Sequence, residues 1–434
     1  MSKKNSLITL LIIKAIFFSG LSFADDQPLN ALSLKQSIQL FEVNNREVST
    51  AKLIIDGAQA DTLTAGQIPN PVLSISASNF NLNLNQGNVN TQKNNSLVNK
   101  TIQSVLQISQ LIERGDKRKL RIAAADKALI ASRLDFKETI RQQELILQNA
   151  YYDLLLAQEI EKIQQINVDL YEKSLNAAKL RFEAGDIAAS DAARIKVDVL
   201  RSQNDLRQSL ANRKKAQSNL AYLIGKENNA NEIIVTDTWP VIDSDFIKRL
   251  DKSNFNNRPD ILAAEIRTKQ ADDMRSLAKS LKSRDVTVDL AYQHFPGQEP
   301  GVGVNTIGAT VSFPLFTNYQ YQGEIGRAEI NYYLAQDSKE QIKALAIGEI
   351  NKAESDLTAA MDKVKRYDDQ ALGEAQKVAD SAEFAYQHGA INLTDLLDAR
   401  RTLHSIQLDA ITSHADFAKS LAAWRAAIKI ENNK

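Results

Sequence analysis

From Asp116 to Ala184 the chain contains neither glycine nor proline, and apolar residues recur at every seventh position: Ile140, Leu147, Leu154, Val168, Leu175 and Phe182. Only Glu161 interrupts the series, and Phe136, Ala150, Ala157, Tyr171 and Ala178 form a neighbouring seam. This spacing predicts a coiled-coil helix, which would be about 100 Å long if continuous. A second stretch repeats the pattern with Ile350, Leu357, Val364, Ala371, Val378 and Ala385, and no proline follows Pro314. Alanine at many seam positions permits close helix approach.

Period-two alternation occurs elsewhere. In VTVDLAYQ, Val286, Val288, Leu290 and Tyr292 share one side, and Thr287, Asp289, Ala291 and Gln293 the other. TIGATVSF alternates in the same way, with Ile307, Ala309, Val311 and Phe313 opposite Thr306, Gly308, Thr310 and Ser312. LSISAS at Leu73 and a weaker TIQSVLQISQ at Thr101 provide an earlier pair, joined by an Asn- and Gln-rich loop from Asn79 to Asn99. The later pair is joined by a loop carrying Pro296, Gly297, Pro300 and Gly301. Strands are expected over residues 72–80, 100–111, 286–295 and 304–316. The smallest membrane barrels use about 8 strands, so a membrane reading requires several chains to share one wall.

The two halves are copies. RFEAGDIAASD at Arg181 is matched 204 positions later by AYQHGAINLTD at Ala385, pairing Phe182 with Tyr386, Gly185 with Gly389, Ile187 with Ile391, Ser190 with Thr394 and Asp191 with Asp395. NNREVSTAK at Asn44 and NNRPDILAA at Asn256 each open a helix that leads to QAD. The chain therefore divides into a first repeat over 32–225, a linker over 226–250 and a second repeat over 251–431. Each repeat reads as opening helix, strand pair, long helix, glycine turn and returning helix.

Composition narrows the functional classes. Lys plus Arg and Asp plus Glu each number 53, so no basic footprint for nucleic acid stands out. Cysteine is absent, which excludes disulfides, thiolate metal sites, a cysteine nucleophile and a lipid anchor on an N-terminal cysteine. The four histidines form no ligand-like cluster, the three methionines trace no thioether path, and no cofactor is implied. Lys3, Lys4, the apolar residues that follow and Ser22-Phe23-Ala24 read as an export signal over residues 1–24.

Together, GQIPNPVLSIS at Gly66, NNRPDILAAE at Asn256, the two glycine turns and the duplicated order of elements resemble the TolC-type outer-membrane efflux proteins over nearly all of the mature length. ISQLIERGDKRKLRIAAA at Ile108 is most similar to the cobalt-zinc-cadmium branch of that family. The resemblance implies a mainly α chain with a small membrane β part. Three chains would close a 12-stranded β-barrel that continues into an α-helical coiled-coil barrel crossing the periplasm. It further implies a passive duct rather than an enzyme, seated in outer-membrane lipid and carrying heavy-metal cations such as cobalt, zinc or cadmium. A periplasmic adaptor and an inner-membrane pump of the resistance-nodulation-division class would be its partners.

By the same resemblance Gly185 and Gly389 become adaptor-docking turns, although glycine commonly closes a helix in any protein. Asp395, Asp398 and Tyr386 match residues lining the family's constricted tip, with Ser190 and Asp191 beside them. All four polar residues past the turns, Ser190, Asp191, Thr394 and Asp395, are also ordinary first-turn residues whose oxygens accept backbone N–H groups. Ile391 occupies the position of a gating arginine. The basic run ERGDKRKLR at Glu113 reads as a solvated helix start, and IIVTDTW at Ile233 as a short segment packing around the tube. A pore-free exported coiled-coil scaffold is the alternative, and the paired strands tell against it. No nucleotide, zinc-protease or serine-hydrolase motif supports an enzyme.

Overall fold

A computed structural model describes residues 29–80, 102–242, 252–295 and 304–428, with backbone only at 252–254. The export signal, most of the Asn- and Gln-rich loop, Pro296, Gly297, Pro300, Gly301, linker residues 243–250 and the last residues of the second repeat lie outside them.

The helices follow the gaps between glycine and proline. α1 (Leu34–Asn44) opens on a capping box between Ser33 and Gln36, and α2 (Arg46–Ala65) on the Asn45 side chain. β1 (Val72–Ser78) and β2 (Gln103–Ile112) lead into α3 (Lys117–Glu183), 67 residues without a break. α4 (Ala189–Leu223) returns along it. The second repeat places Pro259 at the start of α5 (Pro259–Ser280), followed by β3 (Val286–His294), β4 (Asn305–Ser312), α6 (Gln322–Arg366), α7 (Leu372–Gln387) and α8 (Leu393–Ile428).

One irregularity of the second half has no counterpart in α3 of the first. Between α6 and α7, residues Tyr367–Ala371 form a single π turn, in which the Leu372 N–H reaches the Tyr367 carbonyl. The extra residue shifts the seam. Ile350, Leu357 and Val364 are buried as the heptad requires, but beyond the π turn Ala375 and Ala379 are buried and Val378 is exposed. In α3 the seam holds through Leu147, Leu154, Val168, Tyr171 and Ala178, while Phe182 beside the turn is exposed. Glu161, which breaks the heptad, pairs with Arg213 of α4 at 2.9 Å.

The four strands form one antiparallel sheet in the order β1, β2, β3, β4. Its register gathers the alternating residues into two chemically distinct faces. Leu73 pairs with Ile108, Ile108 with Leu290 and Leu290 with Ala309; one step along, Ile75, Leu106, Tyr292 and Ile307 line up. These large apolar side chains are exposed in the single chain. The opposite face carries Ser109, Asp289 and Thr310 in one row and Ser74 and Gln107 in the next, with a diagonal Gln107 to Asp289 hydrogen bond of 3.0 Å. β1 and β4 each pair on one side only, leaving two sheet edges free among the described residues.

The helical layer beneath keeps the same order. α2 packs on α3, α3 on α5 and α5 on α6, so α2 and α6 form its borders. Both borders expose apolar residues: Leu53, Ile54 and Leu63 on α2, and Ile330, Leu334 and Leu345 on α6. The sheet and this layer are pinned where strands become helices. Lys117, buried, donates to the Ser283 carbonyl and the Asp285 carboxylate, both at 2.8 Å, and Arg121 grips Glu113 with two bonds. The basic run is thus a clamp between repeats as well as a helix start.

Two cores lie side by side across α8, Ala418 in the first and Phe417 and Leu421 in the second, and a third lies nearer the turns. At the middle, Leu32, Phe41, Leu147, Tyr151, Leu154, Leu220 and Ile224 enclose Ile233 and Val235 of the linker. Trp239 stacks between Tyr152 and His414 at 6.2 and 6.3 Å. The linker therefore packs against helices of both repeats. A second core joins α6 and α8 through Ile350, Leu357, Val364, Phe417, Leu421 and Trp424. Beside it Arg258 of the NNRPD motif is 1% exposed and holds Asp260, Glu349 and the Ala427 carbonyl. The third core, Tyr171, Ala178, Ile195, Val199 and Leu397, lies next to the glycine turns and fixes the two hairpins against each other.

Candidate functional site at the hairpin turns

Both turns have the same backbone. After α3, the Asp186 N–H reaches the Arg181 carbonyl at 2.8 Å and the Gly185 N–H the Phe182 carbonyl at 2.9 Å; after α7, Ala390 reaches Ala385 at 2.8 Å and Gly389 reaches Tyr386 at 3.1 Å. This pair of bonds is a Schellman closure, which requires a left-handed residue just past the helix. Gly185 and Gly389 supply it, with φ of +84° and +74°. A Cβ built on either would meet nothing within 4 Å, so the turns project into open space.

The helices that leave the turns start differently. Ala188 precedes α4 and offers no capping oxygen; the Asp191 N–H bonds to its carbonyl at 3.0 Å. Ser190 and Asp191 therefore do not cap α4 with their side chains. In the second hairpin Asn392 performs the capping, its Oδ1 accepting from the Asp395 N–H at 2.9 Å. Sequence reading had passed over Asn392 in favour of its acidic and hydroxyl neighbours.

Arginines join the two hairpins. Arg181 of α3 donates to the Tyr386 hydroxyl at 3.0 Å and lies 5.3 Å from the centre of its ring. Arg194 of α4 donates to Thr394 at 2.6 Å. Arg400 of α8 donates to Ser174 of α3 at 2.6 Å and pairs with Glu383 of α7. Arg401 grips Asp198 of α4 through bonds of 2.8 and 2.9 Å and stands 3.2 Å from Asp398. The Asp198 hydrogen bond holds the Arg401 pKa above its ordinary value, and a guanidinium does not deprotonate in proteins. Burial pushes the neighbouring Tyr171 hydroxyl up.

Tyr386, Thr394 and Asp398 are thus brought into cross-hairpin or adjacent ion contacts. Among the described residues the carboxylates of Asp191 and Asp395 meet no cation, and Asp395 is exposed. Ile391 places no cation at the turn, and the cations come instead from Arg181 of α3, Arg194 of α4 and Arg400 and Arg401 of α8. Sequence reading missed Arg181, Arg194, Asp198, Arg400 and Arg401. One signal was available: at the 204-residue offset Arg194 matches Asp398, opposite charges at equivalent positions. No group of three or more His, Cys, Asp or Glu able to hold a metal ion occurs among the described residues, and none of their helices is long and apolar enough to cross a membrane.

Two long hairpins, an amphipathic sheet and a duplicated turn form the frame in which the family match falls. The model of the outer membrane efflux proteins matches residues 37–226 and again residues 253–428. The chain belongs to that family. As a member it is an outer-membrane protein whose helices extend into the periplasm. It is 23% identical over 382 residues to the cobalt-zinc-cadmium resistance protein CzcC of Cupriavidus metallidurans, covering 87% of this chain and 85% of that protein. Among solved structures, the outer membrane protein VceC of Vibrio cholerae superposes with a TM-score of 0.73 at 20% identity, covering 91% of this chain and 95% of that one. The outer membrane channel CmeC of Campylobacter jejuni gives 0.75 at 16%, over 92% and 87%. The fold is therefore the TolC type, mainly helical with a small antiparallel sheet.

Proposed function

We propose that this protein is the passive outer-membrane exit duct of a tripartite efflux system for heavy-metal cations. The observation that carries this reading is the sheet, apolar on one face, polar on the other and open at both edges. Such a sheet is stable in a membrane only when its edges are closed by further copies, with the apolar face toward lipid and the polar face toward water. Three copies close 12 strands, and the same head-to-tail repetition brings the apolar border of α2 against that of α6 in the next chain.

The residues 1–24 would direct export, the repeats 32–225 and 251–431 would build barrel and tube, and the linker 226–250 would girdle it. Gly185 and Gly389 would present the turns to a periplasmic adaptor, which connects the duct to an inner-membrane resistance-nodulation-division pump. Asp395 and Asp398, with Tyr386, Ser190 and Asp191, would line the tip, each aspartate becoming a ring of carboxylates that draws cations. Energy and most substrate selection would come from the pump, and the duct itself would catalyse nothing. The metal class is favoured by the likeness to a cobalt-zinc-cadmium resistance protein.

Deleting the gene in its native host tests the substrate. Growth in cobalt, zinc or cadmium should fail at concentrations the parent tolerates, with more metal retained in the cells, and the full-length protein should restore both. Unchanged metal tolerance with lost tolerance to organic toxicants would replace metal by drug as the cargo.

A further inference from the structure

Where strands become helices, over residues 113–121, 282–285 and 313–324, cations outnumber acids. Each carboxylate there is already engaged: Glu113 with Arg121, Asp116 with Lys119, Asp285 with Lys117, and Glu324 with the Tyr319 hydroxyl. Arg114, Arg118, Lys282 and Arg284 remain, all exposed and paired with no carboxylate among the described residues. Arg284 differs from the others in what it touches. Two positions before Val286, it continues the alternation of the sheet's apolar face, and its guanidinium lies 5.6 Å from the centre of the Phe316 ring. Phe316 meets Tyr321 edge-on at 5.4 Å, and Tyr321 meets Tyr319 at 5.0 Å. Phe313, Leu315 and Tyr319 are exposed beside them. The ring holds the arginine from one side and leaves its N–H donors free. An unpaired guanidinium on an aromatic ledge, bordering a wide apolar face, fits a molecule with an anionic head and long apolar tails.

We propose that Arg284, on the ledge of Phe316, Tyr319 and Tyr321, binds the phosphate of an anionic phospholipid in the periplasmic leaflet of the outer membrane. This rests on the reading of the sheet as part of a membrane barrel. The phosphate accepts N–H bonds from the guanidinium, and the unpaired charges of Arg114, Arg118 and Lys282 draw it to the junction. The acyl chains lie along Val288, Leu290 and Val311 of the apolar face. Free phosphate lacks the tails that this half of the surface accommodates. Bound lipid then fixes the depth at which the helices leave the membrane, once per chain around the barrel.

The test is native mass spectrometry of the detergent-extracted protein titrated with palmitoyl-oleoyl phosphatidylglycerol, with the matching phosphatidylcholine and inorganic phosphate as separate arms. The parent should bind phosphatidylglycerol about fivefold more tightly than phosphatidylcholine, and excess phosphate should not displace it. Arg284→Gln should weaken phosphatidylglycerol binding about fivefold, the effect of one interfacial charge. Arg284→Lys, which keeps the charge and loses the fork, should weaken it about twofold. Lys352→Gln removes an exposed charge about 45 Å along α6 from Gln322 and should change nothing. Should Arg284→Gln fold poorly, Phe316→Leu keeps the apolar bulk, frees the guanidinium from its ring and should also weaken binding about twofold. Equal affinity in the parent and Arg284→Gln would overturn the site. So would phosphatidylcholine binding as tightly as phosphatidylglycerol, which would leave only the apolar face at work, or displacement by phosphate, which would make the ligand a free anion. A protein that leaves cells without detergent and retains neither lipid would instead sink the barrel reading beneath it.

Discussion

Glycine at 185 and 389 is required by a dihedral angle and by nothing around it. Valine at either position would hold a β-branched side chain at φ near +80°, costing about 1–2 kcal/mol, and would touch no neighbour. Gly185→Val and Gly389→Val should therefore leave trimer yield and melting temperature nearly intact while reducing metal tolerance in cells, since under the proposed function the altered surface is the one offered to an adaptor. Loss of the trimer in detergent would reduce both glycines to helix caps. His404 carries a second residue-scale expectation. Burial between α3 and α8, beside Gln164, holds its imidazole below the ordinary value. The unfolded chain binds a proton near pH 6.5 while the folded chain waits for lower pH, so stability falls as pH drops through that window. Between pH 7.5 and 5.5 the melting temperature of the parent should fall further than that of His404→Gln. Identical falls would show that His404 contributes nothing to acid sensitivity.

At the scale of elements, the sequence was informative wherever a pattern is local. The 67-residue α3 stands where glycine and proline are missing, and the strands where apolar and polar residues alternate, because both patterns report which face of an element meets an apolar environment. The glycine turns were equally legible, since φ near +80° selects one residue type. The π turn was not. It adds one residue to a helix without changing composition, so the heptad continued on paper through Ala371, Val378 and Ala385 while the buried side moved to Ala375 and Ala379. The cross-hairpin arginines were illegible for another reason: Arg401 and Asp198 are 203 positions apart, and surface charges are common on any solvated helix. Only the fold decides which of them meet. The sequence thus marked the two turns and left the arginines around them to the structure.

At the scale of the molecule, order is conserved from sheet to helices. Strands and helices of both repeats run in one order, and its two borders are where a free strand edge continues into an exposed apolar helix face among the described residues. Closure by further copies hides both at once. Leu334→Lys, at the centre of the α6 border, should shift detergent-extracted protein from trimer to monomer without lowering its helicity, as size-exclusion light scattering and circular dichroism would show. A trimer unaffected by that charge would place the subunit contact elsewhere. The most direct test of the whole arrangement is the conductance of purified, membrane-extracted protein of known mass in a planar bilayer. A trimer that opens cation-preferring single channels, with that preference reduced by Asp395→Ala, is the expected result. A water-soluble, non-trimeric protein that never opens a channel would contradict it and leave a pore-free periplasmic scaffold.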